Sequence, residues 1–205
     1  MSTRPPADSP ADDNTEYFLL RNADNTCGIG TYRSDLLMTY LRWEHDPASM
    51  IGFGRQIPLS PERRKQWLDL QLDSESTSRF TVYDLTSGTP TPAGFTVLTH
   101  ANDGLSAEYE LLIAPEARGR GLAREATLLT VDYGLHVGAL RTIWLRAAAR
   151  NAPALTVYQK CGFTERGRLR QTRTWLGELC DEVFMDIQIG DLPHPSVIRN
   201  RHTAH

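Results

Sequence analysis

The sequence predicts a single α/β domain built on a mixed, mostly antiparallel sheet with about four helices, and three observations lead there. The 205 residues are 40% hydrophobic with a net charge of -3, an ordinary globular composition on a chain long enough for one core. Three β-rich runs, "RFTVYDL", "AGFTVLTH" and "LSAEYELLI", follow one another through short turns, the pattern of antiparallel strands. Stretches with helical spacing of apolar residues precede and follow them, so the class is α/β rather than all-β.

Taken in order, residues 1–25 open with the polar, proline-rich "MSTRPPADSPADDNTE". No apolar core of a signal peptide appears, and the segment is expected to be a disordered leader on a cytoplasmic protein. The domain is expected over 26–190. "TCGIGTYR" is the first strand. Ser34 caps a helix through "DLLMTYLRWEHD", with Leu37, Tyr40 and Leu41 as its stripe. Pro47 ends that helix and "PASMIGFGRQIPL" reads as a loop. Ser60 and Pro61 open a second helix, "PERRKQWLDLQL", with proline at the first helical position. The three strands follow, the first two split by "TSGTPTP" and the third entered through "ANDG". A longer helix starts at Gly121 and buries Leu122, Ala126, Leu129 and Tyr133, with Gly134 weakening its last turns. "LRTIWLRAAA" is a strand, "APALTVYQKCG" a helix closed by Gly162, and "GRLRQTRTWLGELCDEVFMDI" two strands joined near Leu176 to Glu178. Residues 191–205 read as an irregular tail.

Several function classes fall away. The slightly acidic balance gives no general pull toward nucleic acid. No run approaches the roughly 20 apolar residues of a membrane span. Cys27, Cys161 and Cys180 are odd in number and far apart, which supports neither a disulfide framework nor a zinc spacing, and no metal is implied.

The stretch "ELLIAPEARGRGLAREATLL" carries the chemistry. A strand ends in a loop whose glycines, Gly119 and Gly121, permit a tight turn, and a helix starts at once beside Arg118, Arg120 and Arg124. Unsatisfied N–H groups and the positive end of the helix dipole then converge on one point, which suits a phosphate. A nucleotide-triphosphate loop needs Gly-Lys-Ser/Thr where this chain has Gly121-Leu122-Ala123. A dinucleotide loop needs a third glycine where Arg124 stands.

Arg118-Gly119-Arg120-Gly121-Leu122-Ala123 resembles the Arg/Gln-x-x-Gly-x-Gly/Ala loop of the GNAT superfamily of N-acetyltransferases. The segment from Asn151 through Tyr158 and Lys160 to Gly162-Phe163 is similar to that family's N-x-x-A-x-x-x-Y-x-K-x-G-F run. Ala107 to Glu116 resembles the strand entering the loop in the branch that acetylates ribosomal-protein N-termini and polyamines. The likeness spans about Gly28 to Ile189. It implies a GNAT-like domain whose sheet is splayed between its fourth and fifth strands, with acetyl-CoA as cosubstrate in the wedge. It places Leu111, Leu112, Ile113, Arg118, Gly119, Arg120, Gly121, Leu122, Ala123, Arg124 and Asn151 at the coenzyme.

The implied reaction is direct attack by a primary amine of a small molecule or peptide N-terminus. An alkylamine with pKa near 10.4 is only about 0.1% neutral near pH 7.4, a handicap of roughly 4 kcal/mol, whereas an α-amine loses less than about 1 kcal/mol. Glu108 and Glu110 share one strand face and either can draw the proton; Glu108 is the first choice, since the resemblance matches it to the acidic residue of the family segment. Tyr158 is placed by the resemblance near the coenzyme sulfur as the acid; on spacing alone it is a core aromatic beside Leu155. Asn151 is both a pantetheine contact and a helix N-cap. Arg120 and Arg124 are four apart, a like-charge pairing that a bound phosphate offsets. On the acceptor side the resemblance puts Trp43, Phe53, Arg55 and Trp175 and the segments "SMIGFGRQIPL" and "RQTRTWLGEL", which carry Arg55, Arg170 and Arg173 against the single acid Glu178, with Arg166, Arg168 and Arg170 alternating on a later strand. A homo-oligomer is compatible with all of this. A non-catalytic acyl-CoA-binding module and an acyltransferase using a longer acyl-CoA remain open alternatives.

Overall fold

A computed structural model describes residues 18–72 and 76–203. Its eight strands form one sheet in the order β1-β2-β3-β4-β5-β6-β8-β7. These are β1 (Phe18–Arg21), β2 (Cys27–Thr31), β3 (Thr77–Asp84), β4 (Thr91–His100), β5 (Ser106–Ile113), β6 (Thr142–Ala148), β7 (Thr164–Trp175) and β8 (Glu178–Gln188). The helices are α1 (Leu37–Glu44), α2 (Pro47–Phe53), α3 (Pro61–Leu72), α4 (Leu122–His136), α5 (Ala152–Lys160) and α6 (Val197–Thr203). Every strand pair is antiparallel except β5 with β6. The α/β class, the mixed sheet and the bounds of α3 agree with the sequence reading.

Strand alternation sorts the side chains into two layers. Thr96 of β4 bonds Thr130 of α4 through their hydroxyls at 2.7 Å, so that face of the sheet lies under α4. Phe95, one residue earlier, packs edge-on against Tyr40 of α1, and the Tyr40 and Thr81 hydroxyls meet at 2.6 Å. The opposite face therefore lies under α1. Ile29, Val82, Leu98, Ile143 and Ile187 are fully buried between these layers.

Three elements differ from expectation. The sheet begins inside the segment read as leader: β1 pairs with β2 and buries Leu20, while residues 1–17 of that segment lie outside the described residues. Pro47 starts a helix instead of only ending one. The Asp46 side chain accepts the Ser49 N–H at 3.0 Å, Pro47 stands at the first helical position, and Gly54 closes α2 in the left-handed region. The tail is not irregular throughout, because α6 forms where Asp132 of α4 accepts the N–H groups of Val197 and Ile198 at 2.8 and 3.3 Å. Gly134 also acts otherwise than supposed. The helix runs on past it to His136, and a Cβ there would sit 2.8 Å from Ile143 and 3.0 Å from Leu98. The residue lets α4 lie close on the sheet.

Candidate active site

The parallel pairing of β5 with β6 is short. It joins Ser106, Ala107 and Glu108 to Thr142, Ile143 and Trp144 and then stops, although β5 continues to Ile113 and β6 to Ala148. Beyond Glu108 the facing edges separate, which leaves backbone N–H and C=O groups without a ladder partner across the gap. A cleft of about 630 Å³ opens there, lined on its β5 side by Leu111, Leu112 and Ile113. This is the interruption the sequence reading placed between its fourth and fifth strands, now the fifth and sixth because β1 was missed.

The arginine-glycine loop sits at the end of the gap. Gly119 and Gly121 have φ of 78° and 81°, and nothing lies within 4 Å of where a Cβ would be at either. Both positions need glycine for the turn, and both face open space. Gly121 caps α4 without a side-chain bond, so the first N–H groups of the helix are free to meet an anion. Ala123 lines the cleft, while Leu122 is buried and offers only its backbone.

The three arginines are each held by the protein. Arg118 lines the cleft and donates to Asp46 Oδ2 at 2.8 Å and to Ser49 Oγ at 2.7 Å, tying the loop to α2. Burial pushes the Asp46 carboxyl up, but the Arg118 and Ser49 bonds outweigh it and hold the carboxyl below its ordinary range. Arg120 turns to Asp84 at 3.1 Å and to the Glu116 carbonyl. Arg124 bonds Glu125 and His194 on the far side of α4. The like-charge spacing of Arg120 and Arg124 is thus offset by carboxylates rather than requiring a phosphate.

Across the gap, α5 presents Tyr158. Asn151 caps this helix by accepting the Ala154 N–H at 3.3 Å and lines the cleft. The Tyr158 ring packs edge-on to Tyr109 at 6.3 Å and against Phe163 at 5.8 Å. Its hydroxyl takes no protein hydrogen bond among the described residues, whereas Tyr109 donates to Thr127 at 3.0 Å. Burial raises the Tyr158 phenol well above its usual range, with Cys161 and Glu110 adding to the effect. The site keeps this group protonated.

Glu108 and Glu110 both line the cleft from the α1 face of β5 but differ in surroundings. Glu108 is bonded by Arg146 Nε at 2.8 Å. Glu110 accepts no hydrogen bond among the described residues. Its burial raises its proton affinity, Arg55 opposes the rise, Glu108 adds to it, and Arg79 and Arg146 oppose it to a smaller extent.

Of the acceptor-side residues, Phe53 and Trp175 line the cleft. Trp43 does not: it is 1% exposed in the core under α1, and its indole N–H donates to Glu116 at 3.0 Å. Arg55 is also displaced, lining a second cavity behind α2 and bonding Glu44 at 2.9 Å. Arg173 lines the cleft too, as do Ser49 and Leu176 from the two segments expected near the acceptor, whereas Arg146, which also lines the cleft, was missed by the sequence reading. The Asp46-Pro47 start signal would have singled out Ser49; Arg146 carries no local signature.

The Acetyltransferase (GNAT) domain model matches residues 29–164. Spermidine N(1)-acetyltransferase of Vibrio cholerae is 41% identical over 64 residues, 31% of this chain and 37% of that protein. The Escherichia coli K12 protein of that name is 40% identical over 63 residues, 31% of this chain and 34% of that protein. The aligned part thus spans about a third of these relatives. The crystal structure of Vibrio cholerae spermidine N-acetyltransferase in complex with CoA and spermine superposes with a TM-score of 0.75 at 24% identity, covering 81% of this chain and 97% of that one. A Bacillus anthracis GNAT-family acetyltransferase superposes at 0.69 with 18% identity, over 83% and 98% of the two chains. At these identities the superpositions speak to fold.

Proposed function

The chain belongs to the GNAT acetyltransferase family, and from that premise we propose that it is an acetyl-CoA-dependent N-acetyltransferase acting on a small-molecule or peptide primary amine. The observation that carries the reading is the pairing of β5 and β6 that stops at Glu108, with the glycine-rich start of α4 at the end of the gap beyond it. The residues present fit the coenzyme: unpaired strand edges suit its pantetheine amides, and the open glycine turn with the α4 N-terminus suits its pyrophosphate. Arg118, at the start of the arginine-glycine loop, is its guanidinium that lines the cleft. When bound, the cosubstrate supplies an activated acetyl thioester.

The carboxylates and the phenol then divide the proton transfers. Glu110 is the proposed base, because Glu108 is occupied by Arg146 while Glu110 has no hydrogen-bond partner among the described residues and a raised proton affinity. It accepts the proton as the amine forms the C–N bond. Tyr158 donates its hydroxyl proton as the C–S bond breaks, restoring a thiol. No protein residue is acylated. A bell-shaped dependence on pH follows from the two roles.

The acceptor end favours an amine of low positive charge. Arg146 and Arg173 line the cleft there beside Phe53, Trp175 and Leu176; they pair with Glu108 and Glu182, which leaves no cluster of free carboxylates among the described residues to draw in a polycation. The proposed acceptors are amino acids, peptide N-termini or natural-product amines, in contrast to the spermidine named for the relatives. Free-thiol release from acetyl-CoA, measured with spermidine beside a panel of such amines, tests both levels. Amine-independent release, or none, rejects the transferase reading; spermidine as the clear winner in kcat/KM rejects only the acceptor class.

A further inference from the structure

A second cavity, of about 520 Å³, lies behind α2 and is walled by the segment from Gly54 to Leu59 and by α3. Arg55, Arg63 and Arg64 line it together with Ile57 and Trp67. Phe53 belongs to the cleft and Arg55 to this cavity, with the Arg55 guanidinium carbon 5.0 Å from the Phe53 ring centre, so the stacked pair separates the two spaces.

Charge on this wall is unbalanced. Glu44, 2% exposed, bonds both Arg64 and Arg55. Arg64, also 2% exposed, keeps a buried Nε–H without a hydrogen-bond partner. Arg63 is exposed and forms no ion pair among the described residues. Arg79 adds a further guanidinium: it and Arg64 each approach the Trp67 ring centre to 4.5 Å. Among the described residues no carboxylate lines the cavity, and Glu44 stands behind it. Like charges gathered around one carboxylate repel, and an anion in the cavity relieves them. Trp67 at 39% exposed and Ile57 at 73% give the same space an apolar floor that a free inorganic ion would leave uncovered.

We propose that this cavity is an anion-binding site, separate from the cleft, for a small carboxylate or phosphate joined to a flat apolar body. Arg63 and Arg55 meet the anion, and Trp67 and Ile57 cover the body. Stacking on the indole and charge-assisted bonds to two guanidiniums act together, so neither an uncharged aromatic nor a bare ion satisfies the site.

The test uses the full chain, titrated calorimetrically and by tryptophan fluorescence with benzoate, phenyl phosphate and the neutral benzamide. At least one of the two anions is expected to bind saturably and at least tenfold more tightly than benzamide, and the preferred one identifies the head group. Arg63→Ala, at an exposed position, should weaken that binding at least tenfold, while Arg173→Ala in the cleft should leave it within twofold. Equal affinity for benzamide, no saturable binding of either anion, or loss in Arg173→Ala with retention in Arg63→Ala would each overturn the assignment.

Discussion

The two walls around β5 are built on opposite principles. On the α4–α5 side, the gap is bordered by strand edges, a glycine turn and a helix start, so its polar contacts are backbone groups left open. On the α1–α3 side, the polar groups are long charged side chains gathered around one buried carboxylate, Glu44 with Arg64 and Arg55. A backbone grip costs nothing to hold ready, because secondary structure fixes it. A buried charge network holds only while every member is present. The first wall suits one invariant ligand and the second suits a variable one.

Removing a member of the charged wall should have the largest effect on the fold. Glu44→Ala leaves Arg64 buried beside Arg55 with no carboxylate, a loss of about 3–5 kcal/mol by analogy with broken buried pairs and a fall in melting temperature of roughly 6–20 °C for a chain of this size. Thermal unfolding checks it; a change within 2 °C would show that the two walls do not differ as described. Tyr158→Phe should do the reverse. It removes a hydroxyl without a protein partner, so stability should hold, while turnover falls on the order of 10²-fold with acetyl-CoA affinity unchanged. Equal turnover would return Tyr158 to a packing role.

Smaller effects separate the two carboxylates. Because the folded protein raises the Glu110 proton affinity, the stability this group contributes is complete below the ordinary carboxylate range and is lost as pH rises through its raised value. Glu110→Gln, always neutral, should therefore melt higher than the parent at pH 8 and no higher at pH 4. Its turnover should fall more than that of Glu108→Gln. Arg55→Ala removes the guanidinium that most opposes the rise, against a background of Glu108, Arg79 and Arg146. The acid limb of its rate profile should move to higher pH. A limb that stays in place would detach Glu110 from the proton transfer.

The same contrast explains what the sequence disclosed. The glycine-arginine loop and the Asn151-to-Phe163 run were legible because a backbone grip demands particular residues at fixed local spacing. The three central strands and α3 were legible from alternation and from Pro61. The far wall of the cleft was legible only in part: Phe53, Arg173 and Trp175 stood in the segments the resemblance pointed to, but Arg146 comes from β6, a separate element that only the fold brings beside them. Trp43 was misplaced for the same reason: helical spacing marks a stripe as apolar without saying which aromatic meets a ligand. α6 escaped because its cap, Asp132, comes from another helix, and α2 because Asp46-Pro47 both ends one helix and starts the next.

Calorimetric titration of acetyl-CoA into the parent protein, Gly121→Val and Arg173→Ala tests the division most directly. Valine at a φ of 81° is strained by about 1–3 kcal/mol and closes the open turn. The account predicts at least a tenfold loss of affinity in the folded Gly121→Val protein and an affinity within twofold of the parent in Arg173→Ala. Unchanged affinity in Gly121→Val, with the fold intact by circular dichroism, would contradict it.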